Sequence, residues 1–287
     1  MNSKIRLISK HRNCSVACLA LLVFCLFSSV QVKAQGNLLI NPKRVIFDGQ
    51  KRSQEINLAN IGKDTARYVI SFIQIRMKID GSFEQITQAD SGQNFADKYL
   101  RIFPRTVTLG PNEAQIVKVQ LSQINKLLPG EYRSHLYFRA LSEEKPLGEK
   151  VAEADSAGLS VRLTAIFGIS IPVIIRLGES TARVSLSDLE LESTSSQPIL
   201  KARFNRTGNM SVYGNLTIEH ISNDGKITRV GIVKGISVYT PNAIRDMKIK
   251  LDNEAGVNYH SGKLSIVYTS QTEGKPEKLA ASELPLN

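Results

Sequence analysis

Apolar and polar residues alternate along this chain with a period of two. Ile73, Ile75, Met77 and Ile79 are interleaved with Gln74, Arg76, Lys78 and Asp80, and Val117, Val119 and Leu121 with Lys118 and Gln120. The same rhythm returns at Leu216 and Ile218, and at Met247, Ile249 and Leu251. Successive side chains of a strand point to opposite faces, so this pattern specifies half-buried antiparallel strands; no stretch carries a sustained 3.6-residue stripe. Asp48-Gly49, Asp80-Gly81 and Asp224-Gly225 supply the positive φ that tight hairpins need. The expected class is all-β. About seven strands fall in each half, which suits two sandwiches in tandem, with the boundary near Arg176–Ser180. Single strands are expected over Leu38–Phe47, Tyr99–Thr108 and Leu159–Ile175. In the second half, separate strands are expected over Ile227–Val233, Ile236–Tyr239 and Met247–Leu251, with Thr272–Lys278 as a loop.

The N-terminus breaks the rhythm. Lys4, Arg6, Lys10 and Arg12 precede a 12-residue apolar run, Val16–Phe27, and the stretch ends in Val32-Lys33-Ala34. A basic segment, a short apolar core and small residues at the −3 and −1 positions form a secretory signal peptide, and the run is too short to span a bilayer. Residues 1–34 are therefore expected to be removed, leaving domains at 35–178 and 179–287. Cys14, Cys18 and Cys25, the chain's 3 cysteines, all lie in the leader. The mature protein thus has no disulfide, no cysteine zinc site and no thiol nucleophile, and its stability must come from its cores. The leader also holds Lys4, Arg6, Lys10, Arg12 and Lys33 and no acid, so its loss lowers the formal charge from +11 to +6. That mild excess gives no support to nucleic-acid binding.

The most informative segment is the longest alternating row. Leu159, Val161, Leu163, Ala165, Phe167, Ile169 and Ile171 take every second position, well beyond ordinary strand length. Such a row is either a long core strand or an apolar edge open to another chain. Before it lies Leu141–Ser156, with the acids Glu143, Glu144, Glu149, Glu153 and Asp155, which reads as a mobile flap or a solvated linker.

Four blocks in order now carry a resemblance. NPKRVIFDG (Asn41–Gly49), FPRTVTLGPNE (Phe103–Glu113), GEYRSHLYFRA (Gly130–Ala140) and the alternating row resemble segments of the pilus-assembly periplasmic chaperones, the PapD-like family. The resemblance covers most of Leu38–Arg176. It implies a boomerang of two immunoglobulin-like sandwiches that lends a strand to exported pilus or fimbrial-type subunits, with an outer-membrane usher as a further candidate partner. Strand addition of this kind supplies backbone hydrogen bonds and alternate side-chain anchors. The lending residues it implies here are Leu159, Val161, Leu163, Ala165 and Phe167. It further implies that Arg44 anchors the client's terminal carboxylate. The family's second anchor, a lysine, falls at Pro172, which has no side-chain donor, so the anchor is at best half present unless Arg162 or another cleft residue substitutes. Glu131 and Arg176 match an inter-domain ion pair, whose third member falls near Asn258.

The residues offer little to an enzyme. The mature chain has His135, His220 and His260, no two close in sequence, and neither a nucleophile elbow nor a phosphate-cradling glycine loop. No catalysis, cofactor, metal or stable membrane insertion is expected. The reading is a periplasmic strand-donating chaperone that self-associates through its donor strand when no client is present. The alternative is a secreted immunoglobulin-like binding or adhesion module without chaperone activity.

Overall fold

In a computed structural model the described residues are 38–141, 167–193, 197–271 and 274–286. The expected leader, the acidic connection from 142 onward, Arg162 and the expected lending residues Leu159, Val161, Leu163 and Ala165 lie outside them.

The described chain is built almost wholly from strands, as the alternation requires. The first ten are β1 (Leu38–Asn41), β2 (Val45–Phe47), β3 (Ser53–Asn60), β4 (Ala66–Met77), β5 (Phe83–Ile86), β6 (Leu100–Phe103), β7 (Thr106–Leu109), β8 (Ala114–Leu121), β9 (Gly130–Leu141) and β10 (Gly168–Leu177). They form one sheet in the order β1-β3-β8-β6 and another in the order β2-β10-β9-β4-β5, with β7 also on β4. The rest are β11 (Arg183–Ser193), β12 (Pro198–Thr207), β13 (Val212–Ile221), β14 (Ile227–Val238), β15 (Ile244–Lys250), β16 (Lys263–Ser270) and β17 (Lys278–Pro285). They pair as β11-β12-β15 and β14-β13-β16-β17.

Each set of sheets encloses its own apolar core. Phe47, Ile56, Leu58, Leu109, Val117, Leu136, Phe138 and Val173 fill the first. Leu200, Phe204, Leu216, Ile218, Val230, Ile266 and Tyr268 fill the second, with the Phe204 and Tyr268 rings edge-to-face at 5.2 Å. Tyr268 is fully buried because its hydroxyl donates to the Ile236 carbonyl at 2.8 Å. Each fully buried large side chain contributes roughly 1.5–3 kcal/mol. Both cores lie within one compact unit, 38–287.

Prolines account for two departures from the expected strands. Leu38–Phe47 is two strands in two different sheets, broken at Pro42, and Tyr99–Thr108 is broken at Pro104 into β6 and β7. Proline has no N–H for the ladder, so the chain changes partners there. In the opposite sense, the two strands expected over Ile227–Val233 and Ile236–Tyr239 are one irregular strand, β14, which shifts register where Gly214 and Leu216 of β13 pass it. β5 and β17 were not expected, because Phe83–Ile86 and Lys278–Pro285 lack clean alternation.

The two halves of β10 differ in their neighbours. Along its whole length β10 pairs with β9, from Gly168 opposite Arg139 to Leu177 opposite Gly130. On its other edge β2 covers only Val173–Ile175, running parallel to it. Gly168–Pro172 therefore has an unpaired edge among the described residues. Phe167, whose carbonyl accepts from Ala140 N at 3.0 Å, is 46% exposed, and Ile169 is 37% exposed.

Candidate functional site

The site begins with the face of β9. Residues two apart share a face, and Glu131, Arg133 and His135 form a buried polar row there, each 3–4% exposed. Residues flanking the second set of strands pack over that row: Ser211, Tyr239 and Thr240. Polar groups taken from water at such a junction must find partners or remain costly.

At one end of the row every need is met. Register places Arg176 directly opposite Glu131, and its Nε donates to Glu131 Oε2 at 3.0 Å. Ser211 adds its backbone N–H to Oε2 at 3.1 Å, its hydroxyl lies 2.5 Å from Oε1, and Thr240 Oγ1 donates to Oε1 at 3.1 Å. Arg176 Nη2 also donates to the Ser211 carbonyl at 2.7 Å. Burial by itself would raise the Glu131 carboxyl, but Arg176, Ser211 and Arg44 together hold it below the ordinary range. Glu131 and Arg176 thus meet across neighbouring strands of one sheet rather than between the two sets of sheets, and Ser211 and Thr240 join them from the second set. Asn258 is not their third partner: its carbonyl lies 3.1 Å from His220 Nε2, and Ser211 and Thr240 take that place.

At the other end the needs are unmet. A cavity of about 240 Å³ is lined by Lys43, Arg44, Phe83, His135, Ser170, Pro172, Tyr213, Tyr239 and Arg245, among others, and no acid is among its walls. Arg44 Nη1 donates to the Tyr239 hydroxyl at 3.0 Å, and the guanidinium lies 4.3 Å from the Tyr213 ring centroid, a cation–π distance. Its Nε and Nη2 are buried without a partner. Arg133 lies over the Tyr239 ring at 4.2 Å and donates from Nη2 to the Thr240 carbonyl at 3.1 Å. Arg133 Nε and Nη1, Arg245 Nε and His135 Nδ1 are likewise buried without partners. Burial, with Arg133 and Arg44 nearby, pushes His135 down to about 3, so its ring is neutral at ordinary pH. Burial also lowers Arg133 and Arg245, although arginine stays charged. Arg44, His135 and Arg245 thus bring buried nitrogens without partners to a partly dry cavity that has no acid in its walls, an arrangement suited to an anion.

A second cavity is larger, about 810 Å³, but its two arginine–aspartate contacts are already made within the chain. Arg76 holds Asp90 through Nε and Nη2 at 2.7 and 2.5 Å, and Arg203 holds Asp246 at 2.7 and 3.0 Å. It is mostly apolar and presents no unmet donor, so the smaller cavity is the candidate site.

Of the residues singled out in the sequence, Arg44 lies in this cavity, Pro172 forms part of its wall, and Phe167 stands on the open edge that leads to it. Tyr213, Tyr239 and Arg245 in the cavity wall and Arg133 beside it were missed, and His135 was noted only as one of three histidines far apart in the sequence. Period-two counting from Glu131 would have placed Arg133 and His135 on its face. Nothing local marks Tyr213, Tyr239 or Arg245, which reach the cavity only because the two cores meet.

No family model matches this chain, and no curated protein matches it. Solved structures do. The chain is similar to the YadV chaperone (12% identical, TM-score 0.43, covering 87% of this chain and 100% of that one). It is similar to the CupB2 chaperone of Pseudomonas aeruginosa (12% identical, TM-score 0.44, covering 87% and 100%). It is also similar to the CsuC-CsuE chaperone–tip adhesion subunit pre-assembly complex from the archaic chaperone-usher Csu pili of Acinetobacter baumannii (11% identical, TM-score 0.44, covering 86% and 97%).

Proposed function

We propose that this protein is a periplasmic chaperone that holds exported pilus or fimbrial-type subunits by adding the edge of β10, and the row that precedes it, to the subunit's sheet. One observation carries the reading: the unpaired edge of Gly168–Pro172 leads directly into a cationic cavity with unfilled donors. An edge strand presents a row of free N–H and C=O groups to any strand that can align with it. Phe167 and Ile169 are exposed at alternate positions there and offer apolar anchors to the same partner. Leu159, Val161, Leu163 and Ala165 continue that spacing in the sequence.

Direction follows from β2. Because β2 lies parallel to β10 at Val173–Ile175, a client strand running the same way along Gly168–Pro172 would lie in line with it. Its C-terminus would then meet Arg44, the residue just before β2. A terminal carboxylate would satisfy donors that the protein leaves open, and charge-assisted bonds of this kind are roughly twice as strong as neutral ones. The N-terminal basic segment and apolar run give the route to the periplasm.

The test is capture of partners from the periplasm of the source organism by the tagged mature chain, beside Ile169→Glu and Leu163→Glu variants. The expected result is a small secreted β-protein bound by the parent and lost from both variants. Identical partners in all three would leave β10 as core only and favour the adhesion-module reading. Without a client the edge is free to pair with a second copy, so analytical ultracentrifugation should show dimers of the parent chain and fewer of Ile169→Glu.

A further inference from the structure

We propose that Arg245, supplied by the second core, is the second cation of the anion site, so that a carboxylate is gripped from both cores at once. The proposal rests on the reading of the cavity as a carboxylate anchor.

Arg44 alone is half a clamp. Its Nη1 is taken by the Tyr239 hydroxyl, which leaves Nε and Nη2, the two donors on one edge of the guanidinium fork. That edge matches the two oxygens of a carboxylate, which still has lone pairs to spare once both bonds are made. Position 172, on the β10 wall of the cavity, is a proline and offers no donor. Lys43 sits at the rim with its side chain exposed, where an ion pair is screened by water and salt.

Arg245 is different because the fold holds it in place. Its Nη1 donates to the Ser237 carbonyl at 2.5 Å, while its Nε is buried and without a partner. On its other side lies the β4–β5 hairpin, which is tied to the second core where Asp246 N donates to the Ile79 carbonyl at 2.7 Å and Asn242 Nδ2 to the Met77 carbonyl at 2.7 Å. The guanidinium lies against Gly81 at the hairpin's tip. A Cβ at position 81 would fall 2.5–2.7 Å from Arg245 Nε, Nη2 and Cζ, and Gly81 has a φ of +82°. Glycine is thus favoured at 81 by its backbone, and a side chain there would push the end of Arg245 aside. Asp80, the acid of that hairpin, is exposed and accepts from Ser82 N and Oγ, so it does not neutralise Arg245 as a buried partner would. A guanidinium held this way loses little freedom when an anion arrives.

The experiment is an NMR titration of the mature chain, ¹⁵N-labelled at arginine, with sodium acetate against sodium chloride at equal ionic strength. The parent should show saturable shifts of both the Arg44 and Arg245 Nε–H resonances with one dissociation constant. Arg245→Gln should weaken acetate binding by about tenfold or more, the loss of one charge-assisted pair. Gly81→Ala, which displaces Arg245 but keeps its charge, should weaken it as well, and circular dichroism will show whether either variant is folded. Shifts at Arg44 alone, with Arg245→Gln binding acetate as the parent does, would overturn the proposal and leave the anchor reading standing. No saturable shift at Arg44 would remove the anchor reading itself.

Discussion

Two polar clusters share one face of β9, and they end differently. Around Glu131 the protein supplies every partner: Arg176, the Ser211 hydroxyl and N–H, and Thr240 close on both carboxylate oxygens. A few residues along, Arg44, Arg133, His135 and Arg245 keep buried nitrogens with nothing to bond. Glu131, Arg133 and His135 share one face of β9 and are each only 3–4% exposed, so burial on that strand does not by itself explain the contrast. A cluster completed within the chain fixes the junction of the two cores. A cluster left incomplete, at the end of an open strand edge, is suited to a group from outside. Completeness separates structure from recognition here better than cavity size, since the larger cavity holds its Asp90 and Asp246 carboxylates on arginines of the chain itself.

The comparison can be broken most severely at its closed end. Glu131→Ala leaves Arg176 and the Ser211 and Thr240 donors without their acceptor, and removing one partner of a buried pair typically costs about 3–5 kcal/mol. Urea unfolding should show that loss as a lower midpoint. At the open end the sign should reverse. Arg133→Met removes a buried cation with two unpartnered nitrogens while keeping an unbranched apolar stem. It should be neutral or stabilising by about 1–2 kcal/mol in the same assay, because a buried ion that keeps unpartnered nitrogens is often no better for stability than a packed hydrophobe of similar volume. A marked loss of stability in Arg133→Met would mean that the open cluster is structural too.

Acid separates the clusters next. His135 is held neutral in the fold at about 3, whereas the unfolded chain takes up its proton near the ordinary value of 6.5. Unfolding is therefore favoured as pH falls from about 6.5 towards 3, by up to about 1.4 kcal/mol per pH unit. The Glu131 carboxyl lies below its ordinary value of 4.5, so its contribution is intact above that pH and is lost only as pH falls further, through the folded value. His135→Phe should flatten the stability profile between about pH 6 and 4.5, and Glu131→Gln should flatten it only below. The smallest effect is expected at Phe167→Ser. This change on an exposed edge should alter the chain's own stability by less than about 0.5 kcal/mol while weakening client capture.

How far the sequence could reach depended on the range of the interaction. Alternation is local, so the all-β class and most strands follow from it. Strand breaks at Pro42 and Pro104 were predictable from the missing N–H, and the buried positions change phase across each proline, from Leu38 and Ile40 to Val45 and Phe47, and from Leu100 and Ile102 to Val107 and Leu109. Arg44, Glu131 and Arg176 came from the resemblance of short blocks, whereas the roles of Arg133 and His135 were missed although counting by two from Glu131 would have put them on its face. Arg245 lay outside the reach of either method. It precedes the alternating stretch at Met247–Leu251, and its role depends on a hairpin tip more than 160 positions earlier in the chain.

The short parallel strand β2 has a consequence for measurement. Because it already occupies Val173–Ile175, the free edge of β10 is a slot with a blind end rather than an open rail. Backbone pairing alone lets an added strand slide in steps of two residues and keep its faces correct. A terminal charge seated at the blind end removes that freedom, since each residue of slippage moves it by about 3.3 Å. Such a slot counts backward from the end of whatever enters it. It would therefore accept only chains that have already been finished, and it would place each of their side chains by distance from the last residue.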